Sequence, residues 1–246
     1  MLKYEVSELF KEHEKIIETS IRISNEITFT IEETKSWESK LGGCPYLEKI
    51  EDYPLDKEGK PMIFLAQINL SDLSQLDNMP QSGLLQFYIH NDNCYGYNGS
   101  CKVRYVGKYI TDQDELVSRN PYQDEYKELL HFDKEGKMNF EIKKMPISCT
   151  CEKFNDIFEG ISFNKEQEDK IWDEFDAAGS RVGGYPYFVQ SEPDFCDEYN
   201  ILLLQLDVDD VCGIMFGDSG NCNFFIREED LKNRDFSKVE YDWQCC

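Results

Sequence analysis

The stretch Leu41-Gly-Gly-Cys-Pro-Tyr-Leu47 recurs later in the chain as Val182-Gly-Gly-Tyr-Pro-Tyr-Phe188, with four of the seven positions identical. Glycine adopts positive φ angles without strain, and proline disfavours helix at the residue before it. Each stretch therefore predicts a sharp turn, and the rest of the predicted fold is arranged around these two turns.

Two further segments recur in the same order. Residues 64–70 return as 202–208, and residues 83–89 return as 220–226. The three pairs are separated by 141, 138 and 137 residues, and nine of the 21 aligned positions are identical. Chance matching at ordinary residue frequencies would give about one or two identities. The near-constant separation predicts an internal duplication.

The predicted duplication sets the expected domain organisation. We expect a single domain over residues 1–246. Its two homologous halves would lie at about 37–115 and 179–246, joined by a connecting region at 116–178. A repeat of this length indicates two related halves rather than a solenoid of short units.

The segments after the turns have the alternation of β-strands. In residues 64–70 and 202–208, apolar side chains occupy every second position, and Gln67 and Gln205 lie on the other face. Residues 83–89 and 220–226 also end in strand-forming side chains. Three further short strands are predicted at 27–31, 138–142 and 148–151.

Two helices are predicted outside these strands. Apolar residues at three- and four-residue steps predict an amphipathic helix over residues 6–21. A second helix is expected from its cap Asn164 to its stop Gly179, with Ile171, Trp172 and Phe175 facing inward. The predicted fold class is therefore α+β, with mostly antiparallel sheets, a few helices and two pseudo-symmetric halves.

The combination of motifs resembles the YwqG-like family, a bacterial-type domain of unknown function. Besides the segments above, Phe216-Gly-Asp-Ser-Gly220 and Tyr241-Asp-Trp-Gln-Cys245 carry the resemblance, which extends from about Trp37 onward. Phe216 departs from the tryptophan expected there, and the loop Asn91–Cys101 matches no part of the pattern. The resemblance implies a cytosolic two-part fold and no established reaction, so it assigns no catalytic residues.

The charge of the chain restricts its partners. The 246 residues include 26 basic and 49 acidic side chains, which gives a net charge of −23. Non-specific nucleic-acid binding needs Lys and Arg to displace phosphate counterions, and an anionic membrane surface also attracts basic segments. We therefore expect neither nucleic acid nor a membrane as a partner. The first 15 residues mix charged and apolar positions, unlike a secretory signal, which predicts a cytoplasmic protein.

The sequence predicts no cofactor and no metal centre. The ten cysteines include no C-x-x-C pair, and we expect most of them to be weakly polar core residues without disulfides. No phosphate-binding glycine motif occurs. The acidic run beginning at Asp207 lacks the oxygen ligands of a calcium loop, although a looser cation site of Asp207, Asp209 and Asp218 stays open.

The segment Gly217-Asp-Ser-Gly220 looks like a protease nucleophile, but a serine nucleophile needs a general base. The three histidines, His13, His90 and His131, lie in no matching context. We expect a turn at this segment and favour a protein that is not an enzyme.

Five polar residues could line a ligand cleft between the predicted halves. Gln67 and Gln205 sit at paired positions of apolar strands, and Asn69, Asp207 and Asp218 lie near the strand ends. The alternative is structural, with each buried amide bonded to turn backbone. The cleft hypothesis predicts a small-molecule-binding or hydrolytic domain.

An acidic segment with two aromatics offers a different site. It comprises Glu192, Asp194, Phe195, Asp197, Glu198 and Tyr199. Aromatic side chains among carboxylates favour recognition of a basic surface, although a solvated loop is the simpler interpretation. The preferred functional hypothesis is a non-enzymatic binding module with an acidic face for a basic protein partner, for example an immunity or antitoxin-like role. A purely structural subunit is a third possibility.

Overall fold

The structure, a computed structural model, describes residues 3–74, 76–97, 99–129 and 132–246. Ten β-strands occur in these ranges: β1 (Arg22–Thr30), β2 (Lys40–Leu41), β3 (Ile63–Asn69), β4 (Leu84–Ile89), β5 (Lys102–Val106), β6 (Gly136–Met145), β7 (Arg181–Gly183), β8 (Ile201–Leu206), β9 (Asn221–Ile226) and β10 (Val239–Gln244). They form one sheet in the order β10-β9-β8-β7-β1-β6-β2-β3-β4-β5, and every neighbouring pair is antiparallel.

The centre of the sheet is the long pair β1–β6. Nine residues of β1 are in register with β6, from Arg22 opposite Met145 to Thr30 opposite Lys137. On one side β1 pairs with β7, and on the other β6 pairs with β2. β2 and β7 are only two and three residues long. Through them, the strands that follow each Gly-Gly turn are connected to the long central pair.

The sheet curls until its two ends approach each other. The Cys101 thiol, just before β5, donates to the carbonyl of Val239 in β10 at 3.2 Å. Inside the curl, the rings of Phe87 and Phe224 lie 5.0 Å apart in an edge-to-face contact. The main apolar core therefore fills the concave side of a near-barrel and draws residues from β1, β3, β4, β6, β8 and β9.

The predicted fold class is wrong. The expected α+β molecule of several sheets in two pseudo-symmetric, duplicated halves is replaced by one mainly antiparallel sheet with short helices. Its two central strands, β1 and β6, lie outside both predicted halves, at residues 22–30 and 136–145. The turn geometry and the order of the three strands after each turn recur in the structure, but a duplication of the chain is not shown. The single-domain assignment with boundaries at 37–115, 116–178 and 179–246 stays a prediction.

The helices are short and lie outside the sheet. They are α1 (Glu14–Thr19), α2 (Gln123–Tyr126), α3 (Lys153–Ile157), α4 (Lys165–Glu174) and α5 (Glu228–Lys232), accompanied by 3₁₀ turns at Glu8–His13, Ile50–Asp52, Leu70–Asp72, Gln113–Glu115, Lys127–Leu129 and Asp194–Asp197. A second apolar cluster packs α1, α3 and α4 against the convex side of the sheet. Within it, the rings of four phenylalanines make edge-to-face or tilted contacts: Phe10, Phe154, Phe158 and Phe175.

Helix α4 begins as the sequence predicts. The Asn164 side chain accepts from the Glu166 and Gln167 amides, and the Gln167 side chain accepts from the Asn164 amide in return. The helix ends at Glu174, short of the predicted stop at Gly179, and Phe175 is buried. Trp172 was expected to face inward, which is wrong, because its side chain is 58% exposed.

Two other local predictions have different outcomes. The predicted amphipathic helix at the amino-terminal end is a 3₁₀ turn followed by α1, with Phe10 and Ile17 buried. The predicted strand at residues 148–151 is wrong, because Ser148 instead caps a turn by accepting from the Thr150 amide.

Within the part of the chain that the structure describes, no helix has the length and apolar character needed to cross a lipid bilayer.

Candidate functional site

The two Gly-Gly turns have the same backbone conformation. Gly42, Gly43, Gly183 and Gly184 have φ angles of 63°, 72°, 74° and 73°. A Cβ atom on Gly183 would lie 2.7 Å from the side chain of Leu76. Only glycine adopts this conformation freely and also leaves room for the neighbour, so the sharp turns predicted from the sequence are confirmed.

A buried cation lies just before each turn. The Lys40 ammonium donates to the Lys35 carbonyl at 2.5 Å and to the Cys44 carbonyl at 3.3 Å, and burial lowers the pKa of Lys40 to about 8. Arg181 donates to the Ala178 carbonyl, and burial also lowers its pKa. Both cations therefore bind backbone carbonyls in or just before the turns, a role that the sequence analysis missed.

The buried amide of Gln67 closes the first turn. Its Oε1 accepts from the Tyr46 amide at 2.9 Å, and its Nε2 donates to the carbonyls of Ser36 and Glu38 at 2.8 and 3.0 Å. One side chain thus ties the residue after the proline to the chain before the turn. Gln67 is fully buried.

Gln205 closes the second turn in the same way. Its Oε1 accepts from the Tyr187 amide at 2.8 Å, and its Nε2 donates to the carbonyls of Ala177 and Gly179 at 2.9 and 2.7 Å. Gln205 is also fully buried. These contacts match the structural alternative for both glutamines, and their ligand-binding role stays a prediction.

The other three predicted ligand residues lie in different surroundings. Asn69 donates to the Trp37 carbonyl and to the Tyr109 hydroxyl, at 3.1 and 3.0 Å, beside a surface groove of about 670 Å³. The Asp207 carboxylate accepts from the amides of Gly179 and Val208 at 2.6 and 2.8 Å. Asp218 is exposed.

The structure groups these residues in two pairs. Gln67 and Asn69 bond to the segment at residues 36–38, whereas Gln205 and Asp207 bond around Gly179. The two pairs have no hydrogen-bond partner in common among the described residues. A shared ligand cleft of all five residues stays a prediction.

The acidic segment forms the centre of a larger acidic face. We define the acidic face by the carboxylates of Glu152, Glu192, Asp194, Asp197, Glu198 and Asp242. The Glu192 carboxylate accepts from the Glu152 amide at 2.7 Å. Burial raises the pKa of Glu192, and the negative charges of Glu152 and Asp197 raise it further. These acids therefore repel one another at close range.

The surroundings of Cys196 indicate that Asp242 also lies near the loop at residues 192–198. Burial raises the pKa of the Cys196 thiol to about 12, and the charges of Glu192, Asp242 and Asp197 add to that rise. The positive charge of Lys153 acts in the opposite direction on this thiol. The carboxylates thus converge from the loop at residues 192–198 and from β10.

Two aromatic side chains are packed within this face. The ring of Phe195 lies 5.7 Å from that of Phe225 and 6.1 Å from that of Tyr199. The Arg227 guanidinium lies 4.5 Å above the Tyr199 ring and pairs with Glu198 at 2.5 Å. Phe195 and Tyr199 are therefore partly buried and held in place, rather than free in solution.

Asp242 is the most unusual carboxyl of the face. Burial raises its pKa to about 6, although the Gln244 side chain donates to it at 2.8 Å. No basic side chain of the described ranges forms an ion pair with it within 4 Å.

Residues 152–246 contain 23 acidic and 8 basic side chains, so this part of the chain has a greater excess of negative charge than residues 1–151.

The described residues do not assemble the nucleophile and base that hydrolysis needs. Gly217–Gly220 forms the expected turn, in which Phe216 and Gly220 exchange backbone hydrogen bonds. His13 packs edge-on against Phe163, and His90 lies 3.6 Å from Asp56. His131 lies outside the described residues.

The described residues also form no metal centre, and their buried thiols are protonated. Within the described ranges, no group of three His, Cys, Asp or Glu side chains is placed to hold a metal ion, Asp207, Asp209 and Asp218 included. Four of the ten cysteines are buried: Cys151, Cys196, Cys212 and Cys222. Burial raises the pKa of the Cys212 thiol to about 11, which keeps it protonated near neutral pH.

A cleft opens beside the second turn. It has a volume of about 580 Å³ and lies between the loop at residues 76–79, the Gly183–Gly184 turn and the start of β1. Its lining combines apolar side chains with both signs of charge, including Arg22, Lys144 and Asp77. Asn25 fixes the loop by exchanging two hydrogen bonds of 2.8 Å with the backbone of Ser74.

The sequence model of a family described as a domain of unknown function (DUF1963) matches residues 39–245. The chain belongs to this family. The match confirms the prediction of a domain of unknown function, whereas the narrower YwqG-like assignment stays a prediction. No curated protein matches the chain significantly.

Replacing Gln205 tests the role of the turn-closing amides. We expect Gln205→Leu to lower the free energy of unfolding by about 3 kcal/mol, because the Tyr187 amide and two carbonyls would lose their partner in the interior. Urea denaturation measures the change, and Gln81→Leu at an exposed position is the control. A loss no larger than that of the control would contradict the structural role.

Asp242 gives a prediction of pH dependence. Its pKa is about 6 in the folded chain and 3.8 in the unfolded reference, so the buried charge costs stability at high pH, and this cost disappears as pH falls from about 6 to 3.8. We expect Asp242→Asn to stabilise the protein by about 1 kcal/mol above pH 7, since partial exposure screens the charge.

This gain should shrink steadily in urea titrations below pH 6. Asp218→Asn, which removes an exposed carboxylate, controls for the lower net charge. A gain for Asp242→Asn that does not depend on pH, or that equals the control at every pH, would be evidence against a buried, charged Asp242.

Proposed function

We propose that this chain is a cytoplasmic, YwqG-like binding protein without catalytic activity, which presents its acidic face to a basic protein partner. The observation that carries this proposal is that the charges of Glu192, Asp197 and Asp242 all act on Cys196, where Lys153 opposes them only in part. Neutralisation of a basic toxin, as in immunity or antitoxin proteins, is one form that such binding would take.

The energetics of the face favour a cationic partner. The charges of Glu152 and Asp197 help to raise the pKa of Glu192, which means that ionised acids destabilise one another there. A partner with Lys or Arg side chains would relieve that repulsion. The net charge of −23 would also attract such a partner from a distance and speed association at low ionic strength.

The aromatics of the face supply apolar contact area. Phe195 and Tyr199 are partly exposed, and their packing against Phe225 and Arg227 restrains both rings. Restrained aromatic side chains lose little conformational entropy on binding and are enriched among residues that dominate binding energy. A basic surface with an apolar patch would therefore fit this face better than a simple polycation.

The protonation of the thiols and the surroundings of Ser219 support binding rather than catalysis. The thiols of Cys44, Cys149 and Cys196 have pKa values raised to about 11, 11 and 12 by burial, which suppresses the reactive thiolate. Ser219 is exposed in a turn, and no described histidine lies within hydrogen-bonding distance of it.

Charge-matched variants separate the face from the overall charge. The probe is a fluorescent peptide of alternating arginine and glycine, and anisotropy measures its affinity at low and high salt. We expect the triple variant D194N/D197N/E198Q to weaken binding about tenfold, or about 1.4 kcal/mol. The control E166Q/E168Q/D169N removes the same charge from α4 and should change affinity less than about twofold.

Two results would contradict the proposal. Equal losses in both triple variants would show that the peptide responds only to net charge. Affinity that does not change with salt would show that electrostatic attraction is not involved, because exposed charges are screened beyond about 10 Å at 0.1 M salt.

A second candidate function is small-molecule binding in the cleft beside the Gly183–Gly184 turn. Its volume of about 580 Å³ suits a small ligand. We expect a crystallographic screen of small amines and carboxylic acids to place density there, and Met79→Trp to abolish it by filling the cleft. Met215→Trp, at an exposed position, is the control. Fragments that bind only outside the cleft would contradict this function.

A further inference from the structure

Each Gly-Gly turn is covered by a row of polar side chains that crosses three neighbouring strands. Beside the first turn the row consists of Gln67, Gln86 and Arg104, on β3, β4 and β5. Beside the second turn the row consists of Gln205, Asn223 and Asp242, on β8, β9 and β10. The third member is thus a cation in the first row and a carboxyl in the second.

Arg104 completes the hydrogen bonding of the first row. Its Nη1 donates to Gln86 Oε1 at 2.8 Å and to the Tyr46 carbonyl at 3.2 Å. The amide nitrogen of Gln86 donates to the same carbonyl at 2.9 Å and to Gln67 Oε1, also at 2.9 Å. Both side-chain amide oxygens in this row therefore receive hydrogen bonds.

At the second turn, Asn223 of the row and Asn221, two residues before it on β9, each have an acceptor that lacks a donor among the described residues. Asn221 and Asn223 donate to the Tyr187 carbonyl, at 2.9 and 3.3 Å. Their Oδ1 atoms are fully buried and receive no hydrogen bond from the described residues. Asp242 adds a carboxylate directly opposite Asn223. Burying an acceptor without a donor lowers stability, so two such oxygens beside a carboxylate form a group that lacks donors.

We propose that this second row is a subsite for a guanidinium group, supplied by an arginine side chain of the basic partner. The inference rests on the proposed function and deepens it. A guanidinium presents five N–H donors in one plane, enough for two amide oxygens and a carboxylate together, whereas an ammonium group lacks this planar fork. Arg104 shows, at the first turn, the contacts that the bound group would make.

The outer end of the row faces the acidic face. Asp242 belongs to that face and is partly exposed, as is Tyr187, whereas Asn221 and Asn223 are buried. An arginine side chain would therefore pass Asp242 first and place its guanidinium against the asparagine oxygens. The subsite gives the face a preference for arginine over lysine that net charge alone does not provide.

A single substitution can fill the subsite from within. We expect Asp242→Arg to place a guanidinium where Arg104 lies in the first row and to raise the melting temperature by about 3 °C or more. The control Glu240→Arg makes the same charge change at an exposed position of the same strand. Asp242→Lys adds the charge without the planar fork and should stabilise less than Asp242→Arg.

A second measurement begins with the unmodified protein, so its first result does not depend on any variant folding. The probes are N-acetyl-arginine amide and its lysine and citrulline counterparts. We expect the arginine probe to shift the side-chain NH₂ resonances of Asn221 and Asn223 in NMR spectra, with at least a tenfold weaker response to citrulline. The shifts should disappear in Asp242→Arg and persist in Glu240→Arg.

The outcomes separate this inference from the proposed function. Unshifted asparagine resonances, or a crystal structure in which ordered water on Asn223 resists displacement by the arginine probe, would overturn the subsite even if peptide binding still depends on the acidic face. Shifted resonances without any loss of peptide affinity in D194N/D197N/E198Q would support the subsite and contradict the proposed function. Equal stability of Asp242→Arg and Glu240→Arg would also count against the subsite.

Discussion

The pairing of β1 with β6 is the constraint on which the rest of the structure depends. These strands are aligned over nine residues, whereas the other sheet neighbour of each, β7 for β1 and β2 for β6, pairs over at most three residues. Short strands such as β2 and β7 cannot hold the sheet together by themselves, because few backbone hydrogen bonds offset the entropy of ordering them. The central pair lets both turns join one curled sheet around a common core.

Hydrogen bonding at the turns is the second requirement. A sharp turn at the edge of an apolar core leaves amides and carbonyls away from water, and each needs a partner. Gln67 and Gln205 supply three such bonds each, while Lys40 and Arg181 bind further carbonyls. The polar residues within these apolar strands are thus explained by the turns that they support, and most of the buried polar chemistry is structural.

Local features of the fold could be predicted from the sequence, whereas the partners of the strands could not. The Gly-Gly turns, the strands after them and the cap at Asn164 depend on neighbours within a few residues. The placement of β6 beside β1 joins segments more than a hundred residues apart, and no short pattern encodes it. The same limit explains Trp172, since helical spacing alone could not tell which side of α4 faces the protein.

For the candidate site, the acidic segment could be located from composition, but its extent could not. Asp242 joins the face only because β10 lies at the end of the sheet near the loop that contains Cys196. The buried lysine and arginine before the turns were missed because basic side chains in a sequence usually indicate solvent exposure. A comparison of the residues before Gly42 and Gly183 would have indicated them, since Lys40 and Arg181 both precede a turn by two residues.

The contrast between Arg104 and Asp242 connects the structural and functional arguments. At the first turn, Arg104 donates to both the turn carbonyl and the strand amide oxygen. At the second turn, the corresponding strand amide oxygens have no donor among the described residues. Folding alone would favour a donor at position 242, because a partly buried carboxyl beside unpaired amide oxygens lowers stability. Asp242 lowers stability and adds negative charge to an already acidic face, which is easier to explain by binding than by folding. Binding of an external cation would supply the missing donors and recover the stability that the unpaired acceptors cost.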